Sequence, residues 1–169
     1  MFKSVAELQQ FMKDKGIRMV DFKMVDIDGR WRHLSIPVER FTEKTMVDGI
    51  GFDGSNYGYA PVEKSDMVFV PNLDTAMVDE YVEIPTLTMM GDVYVIGEEE
   101  NVPFDQYPRN VSMAAEKYMR DEGIADQYII GPEFEFYLFD RVAYEAKEEA
   151  VFCEVDTAQA EWNSGIVEG

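Results

Sequence analysis

The run Gly131-Pro132-Glu133-Phe134-Glu135-Phe136-Tyr137-Leu138-Phe139-Asp140 sets two carboxylates two residues apart in a stretch that is otherwise aromatic or aliphatic. Ile, Phe and Tyr dominate Tyr128 to Phe139 and favour an extended strand. A strand sends alternate side chains to opposite faces, so Glu133, Glu135, Tyr137 and Phe139 would share one face and Phe134, Phe136 and Leu138 the other. The two glutamate Cα atoms would then lie about 6.6 Å apart, close enough for the carboxylates to converge on one cation or on two neighbouring ones. A buried carboxylate without a partner costs several kcal/mol, so such a pair calls for cations or a wet groove. An edge strand with a solvated Glu face fits the same pattern.

At 169 residues and 46% apolar content the chain can build one large domain or two small ones around a real core. Against 15 Lys and Arg stand 34 Asp and Glu, a net charge of -19. Such a field repels phosphate backbones and anionic lipid, so neither nucleic acid nor a membrane surface is expected as a partner, and solubility alone accounts for the acidity. The single cysteine, Cys153, excludes an intrachain disulfide, and no basic and apolar run at the N-terminus resembles a secretory signal. A cytoplasmic protein is expected. The apolar stretches fall short of the ~20 residues that a membrane-spanning helix needs.

Ser4 with Glu7 reads as a capping box ahead of a helix carrying Val5, Leu8, Phe11 and Met12 on one side and ending at Gly16. Ile17 to Ile27 is strand-like, with Val20, Phe22 and Met24 alternating, and Asp28-Gly29 suits a type I′ turn into Trp31 to Ile36. Val38 to Val47 has the pattern of a short helix, and Asp48 to Pro61, with its glycines and no periodicity, reads as a loop. Met67 to Val70 and Thr86 to Ile96 read as further strands, the second broken or bent around Gly91-Asp92. A small mixed or antiparallel sheet with one packed helix accounts for residues up to about 100. After the polar break at residues 98–101, Pro108 to Glu122 predicts a helix with Val111, Ala114, Ala115, Tyr118 and Met119 inward, stopped by Gly123. Beyond Asp140 the pattern is weak, and this second unit carries too little core to look complete.

Phe52-Asp53-Gly54-Ser55-Asn56 places a carboxylate on a glycine-flanked loop, where it could meet a cation or merely shape the loop as an Asx-turn. No Gly-Lys-Ser or Gly-Lys-Thr follows, which excludes a phosphate-binding P-loop. One histidine, His33, and one cysteine cannot make a zinc site, so any metal must be a hard cation with oxygen ligands, Mg or Mn. Trp31 and Trp162 are expected to be packing residues.

Phe52-Asp53-Gly54-Ser55-Asn56 with Ser65-Asp66-Met67, together with Gly131-Pro132-Glu133-Phe134-Glu135-Phe136, resembles two signatures of type I glutamine synthetases. Gly123-Ile124-Ala125-Asp126 and Asp156-Thr157-Ala158-Gln159 fit the same pattern, and the resemblance covers nearly the whole chain. It implies an α+β protein, with a β-grasp domain over residues 1–103 and the incomplete start of the catalytic domain over residues 104–169. The implied reaction joins ammonia to glutamate with ATP through γ-glutamyl phosphate, on two divalent cations, Mg or Mn. By resemblance Glu135 is a ligand of the metal that faces glutamate, Glu133 of the metal that faces ATP, and Asp53 the loop carboxylate that binds ammonium in a neighbouring subunit's site and helps remove its proton. Asn56, where the family usually has a second serine, would lie beside that substrate. The assembly implied is a homo-oligomer, a dodecamer of two stacked hexameric rings. The family's remaining ligands are not in this chain, so the expectation is an N-terminal part that is inactive alone. The other readings are a γ-glutamyl ligase using a different amine, and a non-catalytic acidic β-grasp binding module.

Overall fold

The computed structural model describes residues 2–163, and these are α+β. They divide between Tyr128 and Ile129 into two compact units.

In the first unit the Ser4 hydroxyl accepts the Glu7 N–H at 3.2 Å and opens α1 (Val5–Asp14). Leu8 and Met12 are buried, and Val5 and Phe11 pack against the same core. The strands β1 (Met19–Val25) and β2 (Trp31–Pro37) form the expected antiparallel hairpin, with Val20, Phe22 and Met24 buried along β1. Its turn differs from the Asp28-Gly29 type I′ form, because the strands stop at Val25 and Trp31 and residues 26–30 bridge them. The buried Asp26 carboxylate accepts the Arg30 N–H at 2.8 Å and the Arg32 Nε–H at 2.7 Å, so a charged side chain closes a wider loop. Those two groups, the Arg30 N–H first, hold the Asp26 carboxyl below its ordinary value.

The segment expected to be one helix over Val38 to Val47 is a single 3-10 turn followed by α2 (Glu43–Val47), where the Thr42 N–H donates to Thr45 Oγ1 at 3.1 Å. The sequence beyond Asp48 is not all loop, since Ile50–Asp53 forms β3 and pairs antiparallel with β4 (Asp66–Pro71). Four residues are too few for alternation to register in sequence, and the pairing comes from β4. After β5 (Met77–Asp79), the long strand β6 (Thr86–Val95) runs through the middle of the sheet, ordered β2-β1-β6-β4-β3. β6 is continuous through Gly91-Asp92. Thr86 to Met90 pair in parallel with β1, and Gly91 to Val95 pair antiparallel with β4. The short β7 (Val102–Pro103) pairs with the end of β6. Leu87 and Met89 of β6 join Leu8, Met12, Phe22 and Phe69 in one core, where the Phe22 and Phe69 rings are 5.7 Å apart.

Gly49 precedes β3 with φ at 74°, and a Cβ there would lie 2.6 Å from the Phe69 carbonyl oxygen and against the Val68 side chain. Both the left-handed backbone and the contact oppose any side chain. Gly49→Ala is therefore expected to cost about 2–4 kcal/mol, read from the urea midpoint.

Helix α3 (Pro108–Asp121) has nearly the expected bounds but not the expected burial. Asn110 is buried and donates from Nδ2 to the carbonyls of Val93 and Phe104, and Arg109 pairs with Asp92 at 2.7 Å. Val111, Ala114, Ala115 and Tyr118 are exposed, and the side-chain hydrogen bonds from the helix to β6 come from Arg109 and Asn110 in its first turn.

In the second unit, β8 (Arg141–Ala146) and β9 (Val151–Asp156) form an antiparallel hairpin that the weak pattern beyond Asp140 did not reveal. Asp156 Oδ1 accepts from the Thr157 N–H, Trp162 Nε1–H and Asn163 Nδ2–H, tying down the following turn. The segment Tyr128 to Phe139 is not a sheet strand, for it pairs with no strand among the described residues. A strand forms only where a partner accepts its backbone hydrogen bonds, whatever its side-chain preferences. Phe134, Phe136 and Leu138 are accordingly exposed. Trp31 and Trp162, expected to pack, are exposed as well.

Candidate active site

Asp53 is the last residue of β3 and caps the 3-10 turn Gly54–Tyr57. Its Oδ1 accepts two hydrogen bonds from Ser55, the hydroxyl at 2.6 Å and the backbone N–H at 2.9 Å. The Ser55 hydroxyl and then its N–H hold the exposed Asp53 carboxyl below the ordinary carboxylate value, with Ser65 adding a smaller effect. Asp53 thus shapes its loop as an Asx-turn and still presents a charged, solvent-facing carboxylate. Asn56 follows on the same turn and is exposed.

The loop is fixed from beneath. The Gly54 N–H donates to the Ser65 carbonyl at 2.7 Å, and a Cβ on the buried Gly54 would meet Met67 Sδ at 2.6 Å. The Tyr59 N–H returns to the Gly54 carbonyl at 3.0 Å. Phe52, Tyr57 and Tyr59 pack ring to ring, and Tyr59 continues onto Phe104 and Tyr107. The Tyr59 hydroxyl donates to the Val25 carbonyl at 2.6 Å, and burial raises its pKa. This aromatic cluster, which anchors the loop to the hairpin and to the start of α3, escaped sequence reading. Its only signal was the spacing of Phe52, Tyr57 and Tyr59 within an apparent loop.

Glu133 and Glu135 are in the second unit, on the exposed segment that precedes β8. Farther along it the Tyr137 and Phe139 rings stack at 6.2 Å, so residues two apart do share a side there. Among the described residues no three His, Cys, Asp or Glu side chains gather as a metal site. The two glutamates offer the oxygen donors that Mg or Mn prefers, but two carboxylates are too few for an octahedral ion. His33 is engaged elsewhere, its Nδ1 lying 2.7 Å from Oδ1 of the buried Asp21, which also accepts the Ser35 hydroxyl at 2.5 Å. No described helix is long and apolar enough to cross a membrane.

Residues 16–96 match the family model of the glutamine synthetase β-grasp domain, and residues 105–168 match that of the glutamine synthetase catalytic domain. Over 164 residues the chain is 35% identical to glutamine synthetase of Mycolicibacterium smegmatis, covering 96% of this chain and 34% of the relative. It is 34% identical over 166 residues to 3-hydroxylaminophenol mutase of Cupriavidus pinatubonensis, covering 98% of this chain and 35% of the relative. Plasmodium falciparum glutamine synthetase shares the fold at a TM-score of 0.65 and 22% identity, over 92% of this chain and 30% of that one. The chain thus spans about a third of the length of its curated relatives. With a β-grasp match across the sheet that carries Asp53 and a catalytic-domain match across Glu133 and Glu135, the chain belongs to the glutamine synthetase family.

Proposed function

We propose that this chain carries part of the active site of an ATP-dependent glutamate–ammonia ligase, and that by itself it makes no glutamine. The observation that carries the reading is Asp53, an ionised and exposed carboxylate on a loop anchored to the core. A carboxylate held low in pKa attracts a cation, and ammonium is the cation this reaction uses. In this reading Asp53 receives ammonium at a neighbouring subunit's site and helps take its proton, with Asn56 lining the same place. Glu133 and Glu135 each contribute one oxygen ligand to a Mg or Mn ion, the remaining donors coming from other residues. Those ions, when bound, would neutralise phosphate charge during transfer from ATP. The domain boundary proposed is 103/104, the location cytoplasmic, and the assembly a dodecamer of two hexameric rings.

Asn56 gives a second reading some support. An amide has a different shape and different donors from the serine hydroxyl usual in the family, which would suit an amine other than ammonia.

A chimera tests the function. These 169 residues would replace the matching third of the Mycolicibacterium smegmatis enzyme, and glutamine formation would be followed against ammonia and against methylamine. The chimera is expected to form glutamine, and Glu135→Ala within it to raise the Mn requirement at least about tenfold. A folded chimera with no ligase activity on either amine would leave the non-catalytic module as the better account. The isolated chain is expected to form no glutamine under the same conditions.

A further inference from the structure

We propose that Ser55 is a positioning residue for Asp53, holding Oδ1 through its hydroxyl and its backbone N–H so that the carboxylate keeps one orientation on the loop. The inference rests on the reading of Asp53 as the ammonium-binding group and adds to it the residue that aims that group. Ser55 can do this because its own main chain is not free to move. The Gly54 N–H is tied to the Ser65 carbonyl, the Tyr59 N–H to the Gly54 carbonyl, and the Gly58 N–H to the Ser55 carbonyl at 3.2 Å. Gly54 is pressed onto Met67, and Tyr57 stacks on Tyr59 at 5.9 Å. The register of β3 on β4, with Asp53 opposite Asp66, fixes the other end of the pair. An exposed aspartate normally samples several rotamers, and two hydrogen bonds to one oxygen select among them. Both bonds fall on Oδ1, so the arrangement spends one oxygen on orientation.

The experiment is NMR on the chain itself. In the unsubstituted chain a coupling across the hydrogen bond from the Ser55 N–H to the Asp53 carboxylate carbon is expected, together with χ1 couplings of a single Asp53 rotamer. With Ser55→Ala, the titration of the Asp53 carboxylate carbon is expected to move up towards the ordinary value and the χ1 couplings to average. Ser55→Thr, which keeps the hydroxyl, should restore both. Amide shifts of Ile50, Phe52 and Met67 show that β3 and β4 remain paired in each variant. An unchanged titration and a single rotamer in Ser55→Ala, or no coupling in the unsubstituted chain, would overturn the proposal. These readouts do not depend on catalysis, so they fail or succeed separately from the role of Asp53, which Asp53→Asn in the chimera decides.

Discussion

Asp53→Asn in the chimera is expected to lower kcat/KM for ammonia by about 10²–10⁴, with most of the loss in KM. The amide keeps an oxygen for the Ser55 N–H, so the Asx-turn survives and the change removes charge more than shape. The Ser55 hydroxyl and N–H hold the Asp53 carboxyl below the ordinary carboxylate value, so it is ionised throughout the neutral range. A carboxylate tuned downward attracts a cation but is a weak proton acceptor. In the proposed role the charge would do more to gather ammonium than to deprotonate it, and loss of activity should show as a demand for more ammonia. Steady-state rates over a wide ammonium range check this. A fall in kcat at unchanged KM would instead make Asp53 chiefly the base, and unchanged kinetics would remove it from the site.

Phe22→Ala is expected to destabilise the first unit by about 3–5 kcal/mol in urea unfolding. Phe22 is fully buried, faces Phe69 across the sheet, and shares the core beneath α1 with Leu8 and Met12. Truncation removes the ring's transfer free energy and leaves a cavity that β1, held between β2 and β6, cannot close. Small domains have about 5–15 kcal/mol in total, so the variant should approach its unfolding threshold at 37 °C. The same substitution at Phe134, which is exposed, should leave the unfolding free energy from urea titration within about 0.5 kcal/mol of the original.

Local and periodic features could be read from the residues alone. Ser4 with Glu7, the Val20-Phe22-Met24 alternation and the Pro108 start of α3 each encode an element whose hydrogen bonds close within a few residues or with the next strand. The motifs around Asp53 and Glu133 identified the family because their residue types and order are specific even where their geometry is unknown. Pairing across long separations had to come from the tertiary structure. Nothing local says that β6 changes partner at Gly91, or that Ile50–Asp53 becomes a strand because β4 lies alongside it. The apolar, strand-forming residues Tyr128 to Phe139 make the converse point. Propensity there is high, yet no described strand meets their backbone groups, and they remain outside any sheet. The sequence by itself determined which residues favour extended or helical backbone and which family they belong to. Only the tertiary structure decided which carboxylate is held, by which neighbour and facing where, because hydrogen bonds and burial depend on partners that sequence spacing does not specify.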